Sequence, residues 1–304
     1  MDFKKAYLDL LRNTLLGLSY SDYRYDVGND SIEPHDPKAR ENGEDWPFNG
    51  QSMVGTKRML NAHMLIEQVE ADKIPGDFVE TGVWRGGVCI YVAGILKAMG
   101  IKEEERKVWV CDSFEGIPQP NHAQYPADQG DMHFHAQWLK VPQEIVARNF
   151  ATYGLLTDQI RFVKGFFSDT LPVVKNEIEK ISILRLDGDM YESTIVALEN
   201  LYPNLSVGGY VIVDDYGLPN CREAIEDYRK FHGIEDEYIK IDESSVYFKK
   251  TKQCDKEKIE HRFALPKTIQ SEPGSQLQSG PIGASEKSKT TFSQPNQGAS
   301  LSSL

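Results

Sequence analysis

From residue 77 onward the sequence alternates short apolar runs with stretches of helical character, and this alternation constrains the fold more than any other feature. The apolar runs are DFVETG, KVWVCDS, IRFVKG, ISILRLDGD and GYVIVDDY. Such alternation is typical of βαβ units and a parallel sheet. Two further runs, EYIKID and SVYFKK, lie close enough together to form a hairpin. The sequence therefore predicts an α/β fold, with a seven-stranded Rossmann-like sheet and helices on both faces.

An N-terminal extension precedes the alternating region. Residues 1–20 fit an amphipathic helix, and residues 21–50 are polar and turn-rich, which predicts a long irregular loop of the kind that often forms a lid. The next stretch predicts a helix whose apolar stripe would pack in the core, formed by Met59, Leu60, Met64, Leu65 and Val69.

Three regions are expected along the chain. Residues 1–65 would form the N-terminal helix and lid segment, and residues 66–250 the main α/β domain. Residues 251–304 would form a C-terminal extension, disordered from about residue 266, because that part is rich in Ser, Gly, Gln and Pro.

The charge balance restricts the partners. A formal net charge of −12 opposes general nucleic-acid binding, which depends on Lys and Arg, and favours a small-molecule partner. Charged residues interrupt residues 1–20 too often for a signal peptide or a membrane span, and the four cysteines show no metal-ligand spacing, so we expect a cytoplasmic protein with reduced thiols. The amphipathic N-terminal helix makes a homodimer plausible.

Two acidic stretches follow neighbouring strands of the predicted sheet. LRLDGDMYEST carries Asp187 and Asp189, and VIVDDY carries Asp214 and Asp215. Because parallel strands joined by a crossover end at the same edge, four carboxylates should converge there. Crowded carboxylates repel one another and favour a hard cation, Mg²⁺ before Ca²⁺ or Mn²⁺. The alternative is that both stretches are simple turns, where Asp and Gly are common.

A glycine-containing turn follows the first strand of the sheet. DFVETGVWRGG has an ExGxxxG arrangement and lacks the GxGxxG pattern of dinucleotide sites, which suits S-adenosylmethionine because this cofactor carries no phosphate. The second strand ends in VWVCDSF, where an acid can bond both ribose hydroxyls. The cofactor-contacting candidates in these two loops are Glu80, Thr81, Gly82, Val83, Trp84, Gly86, Asp112 and Ser113.

The third strand ends in KGFFSDTLP. Gly165, Phe166 and Phe167 could form a wall against the adenine ring, although either phenylalanine could equally belong to the core. Residues 119–142 form a long insertion after the second strand, with His133 and His135, and are expected to act as a second lid.

These stretches together resemble the macrocin O-methyltransferase family over about residues 1–250. DGDMYEST and VIVDDY are the most specific elements of the resemblance. The resemblance implies a class I S-adenosylmethionine-dependent fold, an essential Mg²⁺ and methylation of a sugar hydroxyl on a natural product. It also implies that Asp187, Asp214 and Asp215 bind the metal and that Asp189 is the general base.

The chemistry of the residues agrees with this assignment. A sugar hydroxyl is a very weak acid, so it attacks a methyl sulfonium at neutral pH only if its proton is removed. Asp189 is placed to take that proton; its alternative role is to support the site or to cap the following helix. The sequence does not identify the acceptor.

The acidic stretches also allow three functions other than methyl transfer. A phosphohydrolase of the haloacid dehalogenase type also uses a strand-ending DxD, but normally on the first strand and without a glycine loop. A nucleotide-sugar glycosyltransferase would leave the DD pair unexplained, and a non-enzymatic scaffold would not need four intact acids.

Overall fold

The computed structural model describes residues 2–26, 29 and 31–253. The helices in this part are α1 Phe3–Leu15, α2 Pro37–Asn42, α3 Gly55–Ala71, α4 Gly87–Met99, α5 Gln143–Thr152, α6 Phe167–Val174, α7 Tyr191–Leu201 and α8 Pro219–His232. The strands are β1 Tyr23–Asp26, β2 Ser31–Pro34, β3 Asp77–Thr81, β4 Val108–Asp112, β5 Ile160–Lys164, β6 Ile181–Leu186, β7 Leu205–Val213, β8 Ile239–Lys240 and β9 Val246–Lys249.

Seven of these strands form one sheet in the order β5-β4-β3-β6-β7-β9-β8. Strands β3 to β7 are mutually parallel, whereas β9 runs antiparallel to both β7 and β8. The strand order reverses between β3 and β6, and in open α/β sheets ligands bind at such a point, beyond the carboxyl ends of the strands. The predicted seven-stranded sheet with its terminal hairpin is confirmed.

Two apolar layers cover the sheet. Helices α1, α3, α4 and α5 pack on one face, and helices α6, α7 and α8 pack on the other. The central strands are buried on both faces, which explains why their sequences are nearly continuous apolar runs. Strand β6 is buried along its whole length. The prediction of helices on both faces is therefore also confirmed.

The N-terminal region differs from the irregular loop predicted for residues 21–50. It contains the antiparallel hairpin β1–β2 and the short helix α2. A buried ion-pair cluster organises it, since the Arg40 guanidinium donates to Asp22 at 2.6 Å and to Asp45 at 2.8 Å. Asp22 also accepts from the backbone N–H of Asn49. The order comes from paired charges rather than from an apolar pattern, so hydrophobic periodicity could not reveal it.

The apolar stripe predicted on α3 is correct only in part. Met59, Leu65 and Val69 are buried, whereas Leu60 is 43% exposed and Met64 is 45% exposed. The predicted stripe is wider than the buried face of α3, because a helix covered on one side buries only about a third of its circumference.

The predicted division into three regions can be compared with the structure at two boundaries. The proposed boundary between residues 65 and 66 falls inside α3, and α1 shares one apolar core with α4 and the sheet. Residues 254–304, to which most of the predicted C-terminal extension belongs, lie outside the described residues. Within the described part of the chain, no helix has the length and apolarity needed to cross a bilayer.

Candidate active site

The carboxyl ends of β6 and β7 bring three aspartates together. The backbone N–H of Asp187 donates to Thr81 on β3, and that of Asp214 donates to Leu186 on β6, so the strand ladder continues past the ends of β6 and β7. Asp187, Asp214 and Asp215 each offer a carboxylate oxygen, and these three oxygens lie within 4.8 Å of one another. The structure thus brings together the three acids predicted to form the metal site.

A buried arginine, which the sequence reasoning missed, lies behind these acids. Arg185 on β6 is the direct strand neighbour of Glu80 on β3. Its guanidinium donates to Glu80 at 2.6 Å and to Asp187 at 2.6 Å, and it also donates to Asp214. Arg185 and Glu80 are each only 2% exposed. Arg185 therefore fixes two of the predicted metal ligands from the protein side.

A second arginine approaches the acids from outside the sheet. Arg58 on α3 donates to Asp214 at 2.6 Å and to Asp242, in the turn between β8 and β9, at 2.7 Å. Both carboxylate oxygens of Asp214 thus accept hydrogen bonds from arginines. Burial acts to raise the pKa of Asp214, but the charges of Arg185 and Arg58 outweigh it and hold this pKa below its usual value.

Carboxyl groups nevertheless outnumber arginines at this edge of the sheet. Glu80 and the four aspartates bring five carboxylates, whereas Arg185 and Arg58 supply two positive charges. Burial raises the pKa of Asp215 well above its usual value, and the charges of Asp189 and Asp187 raise it further. A surplus of hard oxygen donors fits a divalent cation such as Mg²⁺, whose charge would favour the ionised form of these acids. The residues at this edge therefore suit the metal that the sequence predicts.

Asp189 occupies a special backbone conformation beside the three acids. Its φ of 59° lies in the left-handed region, where Asp and Asn are the most tolerated residues after Gly. Its N–H donates to Asp215 Oδ2 at 3.0 Å. Burial, together with the charge of Asp187, raises the pKa of Asp189 to about 7. A carboxylate with this pKa is suited to accept a proton near neutral pH.

The first turn of α7 is capped by a residue distant in sequence, not by Asp189. Asp128, which is 1% exposed, accepts from the backbone N–H of Tyr191 at 2.7 Å and from that of Glu192 at 3.0 Å. The alternative role of Asp189 as a helix cap is therefore wrong. Asp128 belongs to the insertion between β4 and α5, so this contact fastens the insertion to the helix that follows the DGD turn.

A hydrogen-bond network extends from Asp128. The side-chain amide of Asn220, at the start of α8, donates to Asp128 and to Asp131, each at 3.1 Å. Asp131 lies 3.0 Å from Nδ1 of His133. Burial acts to lower the pKa of His133, but Asp131 and the charge of Asp189 outweigh it and raise this pKa above its usual value. The insertion therefore contacts α7 and α8 through paired polar groups.

The turn after β3 lies directly against the acidic edge. Gly82 has a φ of +87°, and a Cβ there would lie 1.6 Å from the carbonyl oxygen of Asp187, so only glycine fits. The carboxylate of Asp112, at the end of β4, accepts from the backbone N–H of Val83 at 2.7 Å and from that of Phe114 at 2.7 Å. Asp112 thereby joins the glycine turn to the end of the second strand of the sheet.

One cavity of about 650 Å³ connects the glycine turn with the acids. The four aspartates Asp187, Asp189, Asp214 and Asp215 line it. Eight of the residues predicted to contact the cofactor also line it: Glu80, Gly82, Val83, Trp84, Asp112, Ser113, Phe166 and Phe167. Thr81, Gly86 and Gly165 are not among the lining residues. Their contact with the cofactor stays a prediction.

Glu80 contributes to this cavity as part of an internal ion pair. Its carboxylate accepts from Arg185 and from the Cys89 thiol, and burial raises its pKa to about 7 despite the charge of Arg185. A direct contact between Glu80 and a cofactor therefore also stays a prediction.

The N-terminal region also lines the cavity, with residues 43–46 and 51–54. One guanidinium nitrogen of Arg85 donates to the carbonyl oxygens of Pro47, Phe48 and Gly50 at 2.8 to 3.0 Å. The indole N–H of Trp84 donates to the carbonyl of Trp138 in the insertion at 2.9 Å. The glycine turn thus contacts both segments that the sequence predicts to be lids.

This sheet, in which the last strand of the described chain lies antiparallel between β7 and β8, together with the glycine turn and the acid at the end of the second strand, is that of a class I S-adenosylmethionine-dependent methyltransferase. The chain belongs to the macrocin-O-methyltransferase (TylF) family, whose model matches residues 4–250. It is therefore an O-methyltransferase.

Similar proteins support this assignment. The mycinamicin III 3''-O-methyltransferase of Micromonospora griseorubida is 43% identical over 250 residues, which cover 81% of this chain and 97% of that protein. The demethyldecarbamoylnovobiocin O-methyltransferase of Streptomyces niveus is 45% identical, covering 81% and 94%. The solved structure of the O-methyltransferase NovP is 44% identical and covers 82% of this chain and 100% of that one, with a TM-score of 0.77.

Proposed function

We propose that this protein transfers the methyl group of S-adenosylmethionine to a hydroxyl of a sugar carried by an antibiotic-type natural product, and that it requires Mg²⁺. The observation that carries the proposal is the cluster of Asp187, Asp214 and Asp215 in the same cavity as the glycine turn and Asp112. The substrates named for the similar proteins support the acceptor class, among them a rhamnosyl-tetracenomycin 4'-O-methyltransferase of Streptomyces olivaceus that is 45% identical.

Asp187, Asp214 and Asp215 would hold the metal ion. When bound there, a divalent cation would lower the pKa of an acceptor hydroxyl, as metals do for water. Arg185 keeps Asp187 and Asp214 in place from behind. Asp189 lines the same cavity and accepts the hydroxyl proton, for which its raised pKa of about 7 is suited.

The transfer itself needs alignment more than further acid–base chemistry. As the hydroxyl loses its proton to Asp189, its oxygen forms a bond to the methyl carbon and the bond from that carbon to sulfur breaks, which leaves S-adenosylhomocysteine. Holding donor and acceptor in line supplies much of the rate in such displacements. Asp112 and the turn at Gly82 would hold the donor side, and Trp46 and Trp84 line the same cavity.

The phosphohydrolase and glycosyltransferase alternatives are not favoured, because the family and the fold are those of methyltransferases. The DxD sequence also follows β6, the fourth strand of the sheet in chain order, rather than the first strand.

Binding and turnover test the proposal together. We expect calorimetry to detect the binding of S-adenosylhomocysteine to the protein. We also expect transfer of a labelled methyl group to at least one of mycinamicin III, demethyldecarbamoylnovobiocin and the rhamnosyl-tetracenomycin acceptor. The matched variant Asp112→Ala should weaken cofactor binding, because it removes the acid that bonds the ribose and the anchor of the glycine turn. If the parent protein gives no heat of binding with S-adenosylhomocysteine, the proposal that the cavity binds the cofactor is refuted.

The metal requirement is tested separately. We expect Mg²⁺ to bind the parent protein and a chelator to abolish turnover, whereas Asp215→Asn should lose most Mg²⁺ affinity while keeping its fold. Asn is isosteric and keeps one oxygen that can accept from the N–H of Asp189. Full turnover in the presence of the chelator would show that the acids act without a metal.

A further inference from the structure

A second concave surface adjoins the active-site cavity on its outer side. It lies between the insertion (residues 119–142) and the start of α8, and we call it the outer groove; its lining residues include Gln129, Met132, His135, Trp138, Pro219 and Asn220. His133 and Leu218 line both the outer groove and the active-site cavity. The two spaces are therefore neighbours that share a wall near Asp189.

The polar groups around the outer groove are paired with one another. Asn220 donates to Asp128 and Asp131, and Asp131 also pairs with His133. Asp128 in turn caps α7. These contacts hold the two sides of the groove together, so its shape is set before a ligand arrives, and they leave these carboxylates little need for a charged ligand.

The side chains that remain open to the groove are largely apolar. Met132 is 62% exposed although it lies in a concave surface. The ring of Trp138 packs edge-on against Trp46 at 5.8 Å between centroids, and its carbonyl accepts from Trp84, so this residue is fixed. A flexible methionine beside a rigid aromatic ring can adapt to apolar ligands of different shapes.

We propose that the outer groove binds the apolar aglycone of the acceptor while the sugar lies at the acidic cluster. The inference rests on the proposed function, since it assigns a place to the part of the glycoside that is not methylated. The active-site cavity is lined by acids and suits a sugar, whereas the outer groove offers Met132, Trp138 and Pro219. Because His133 and Leu218 border both spaces, a glycoside whose sugar lies at the acids would extend its aglycone past these two residues into the outer groove.

Binding to the protein loaded with S-adenosylhomocysteine tests this assignment independently of turnover. Calorimetry would compare mycinamicin III, demethyldecarbamoylnovobiocin and the rhamnosyl-tetracenomycin acceptor with the methyl glycoside of the sugar that each carries. We expect at least one complete glycoside to bind about 100-fold more tightly than its methyl glycoside, because burying large apolar side chains contributes on this scale. Equal affinities for every pair, or no binding of any complete glycoside, would overturn the proposal.

Two matched variants locate the effect. Met132→Gln keeps the length of the side chain but makes it polar, and we expect the affinity ratio between complete and methyl glycoside to fall about tenfold. Met64→Gln makes the same change on α3, at a residue that is 45% exposed and lines neither space, and should leave the ratio unchanged. If the affinity ratio of the Met132→Gln variant stays within twofold of the ratio of the parent protein, the aglycone lies elsewhere.

If the assay of methyl transfer fails but complete glycosides still bind through Met132, the proposed chemistry is wrong and the groove remains a glycoside site. If methyl transfer succeeds and the ratio is insensitive to Met132, the proposed function stands without this groove.

Discussion

An Asp189→Asn variant is expected to bind S-adenosylhomocysteine and Mg²⁺ like the parent protein and to turn over about 10³-fold more slowly, because a general base contributes on this scale. Asn is isosteric and tolerates the left-handed backbone at φ 59°, so the N–H bond to Asp215 should persist. The amide cannot accept a proton at neutral pH. Calorimetry and single-turnover kinetics would measure the two effects separately.

The control for this variant is Asp169→Asn, which makes the same chemical change at an exposed position in the first turn of α6. It should leave turnover unchanged. Turnover within about tenfold of the parent for Asp189→Asn would instead assign the residue a supporting role in the acid cluster.

An Arg185→Met variant is expected to lose about 3–5 kcal/mol in the free energy of unfolding, because it leaves buried carboxylates without their partner. Arg185 pairs with Glu80, Asp187 and Asp214, and a loss of this size is a large share of the stability of an ordinary domain. Added Mg²⁺ should recover part of the loss, since a cation at the acids supplies positive charge and binds the folded state. Chemical denaturation with and without Mg²⁺ would measure both effects.

Arg40→Met provides the matched comparison, because Arg40 is also buried and paired with two aspartates, Asp22 and Asp45. It should destabilise the protein without any specific recovery in Mg²⁺. Equal recovery of both variants would mean that Mg²⁺ stabilises the protein at another place, and no loss for Arg185→Met would show that the acids are neutral in the folded protein.

The sheet was accessible to sequence reasoning because its strands are buried on both faces. A strand such as β6, buried from Ile181 to Leu186, must be an almost unbroken apolar run, and such runs separated by helices leave few topologies. The meeting of Asp187 with Asp214 and Asp215 follows from the same rule, because adjacent parallel strands end at one edge. These parts depend on local pattern alone.

Arg185 was missed although a signal was present. It is the one arginine within the buried run ISILRL, and Glu80 is the one acid within the run FVET. A buried charge requires a partner, so the two could have been paired as strand neighbours. The register that makes them neighbours joins residues 105 positions apart and depends on the assembled sheet.

The hairpin β1–β2 and the cap on α7 had no comparable signal. The Asp22, Arg40 and Asp45 cluster is a set of charges in a polar segment, which looks like a solvated loop until the segment is folded. Asp128 caps α7 from 63 residues away, whereas sequence rules look for caps directly before a helix. Contacts of this kind depend on tertiary structure and leave no periodic trace.

The ion pairs of Arg58 with Asp214 and Asp242 affect when the site can assemble during synthesis of the chain. The contact between Arg58 and Asp242 spans 184 residues, and Asp242 lies in the turn before β9, the strand that pairs with β7. A nascent chain that ends before this turn can already contain every acid of the cluster, yet it lacks the group that holds Arg58 against Asp214. We therefore expect the site to reach this arrangement only after the turn that carries Asp242 has been synthesised.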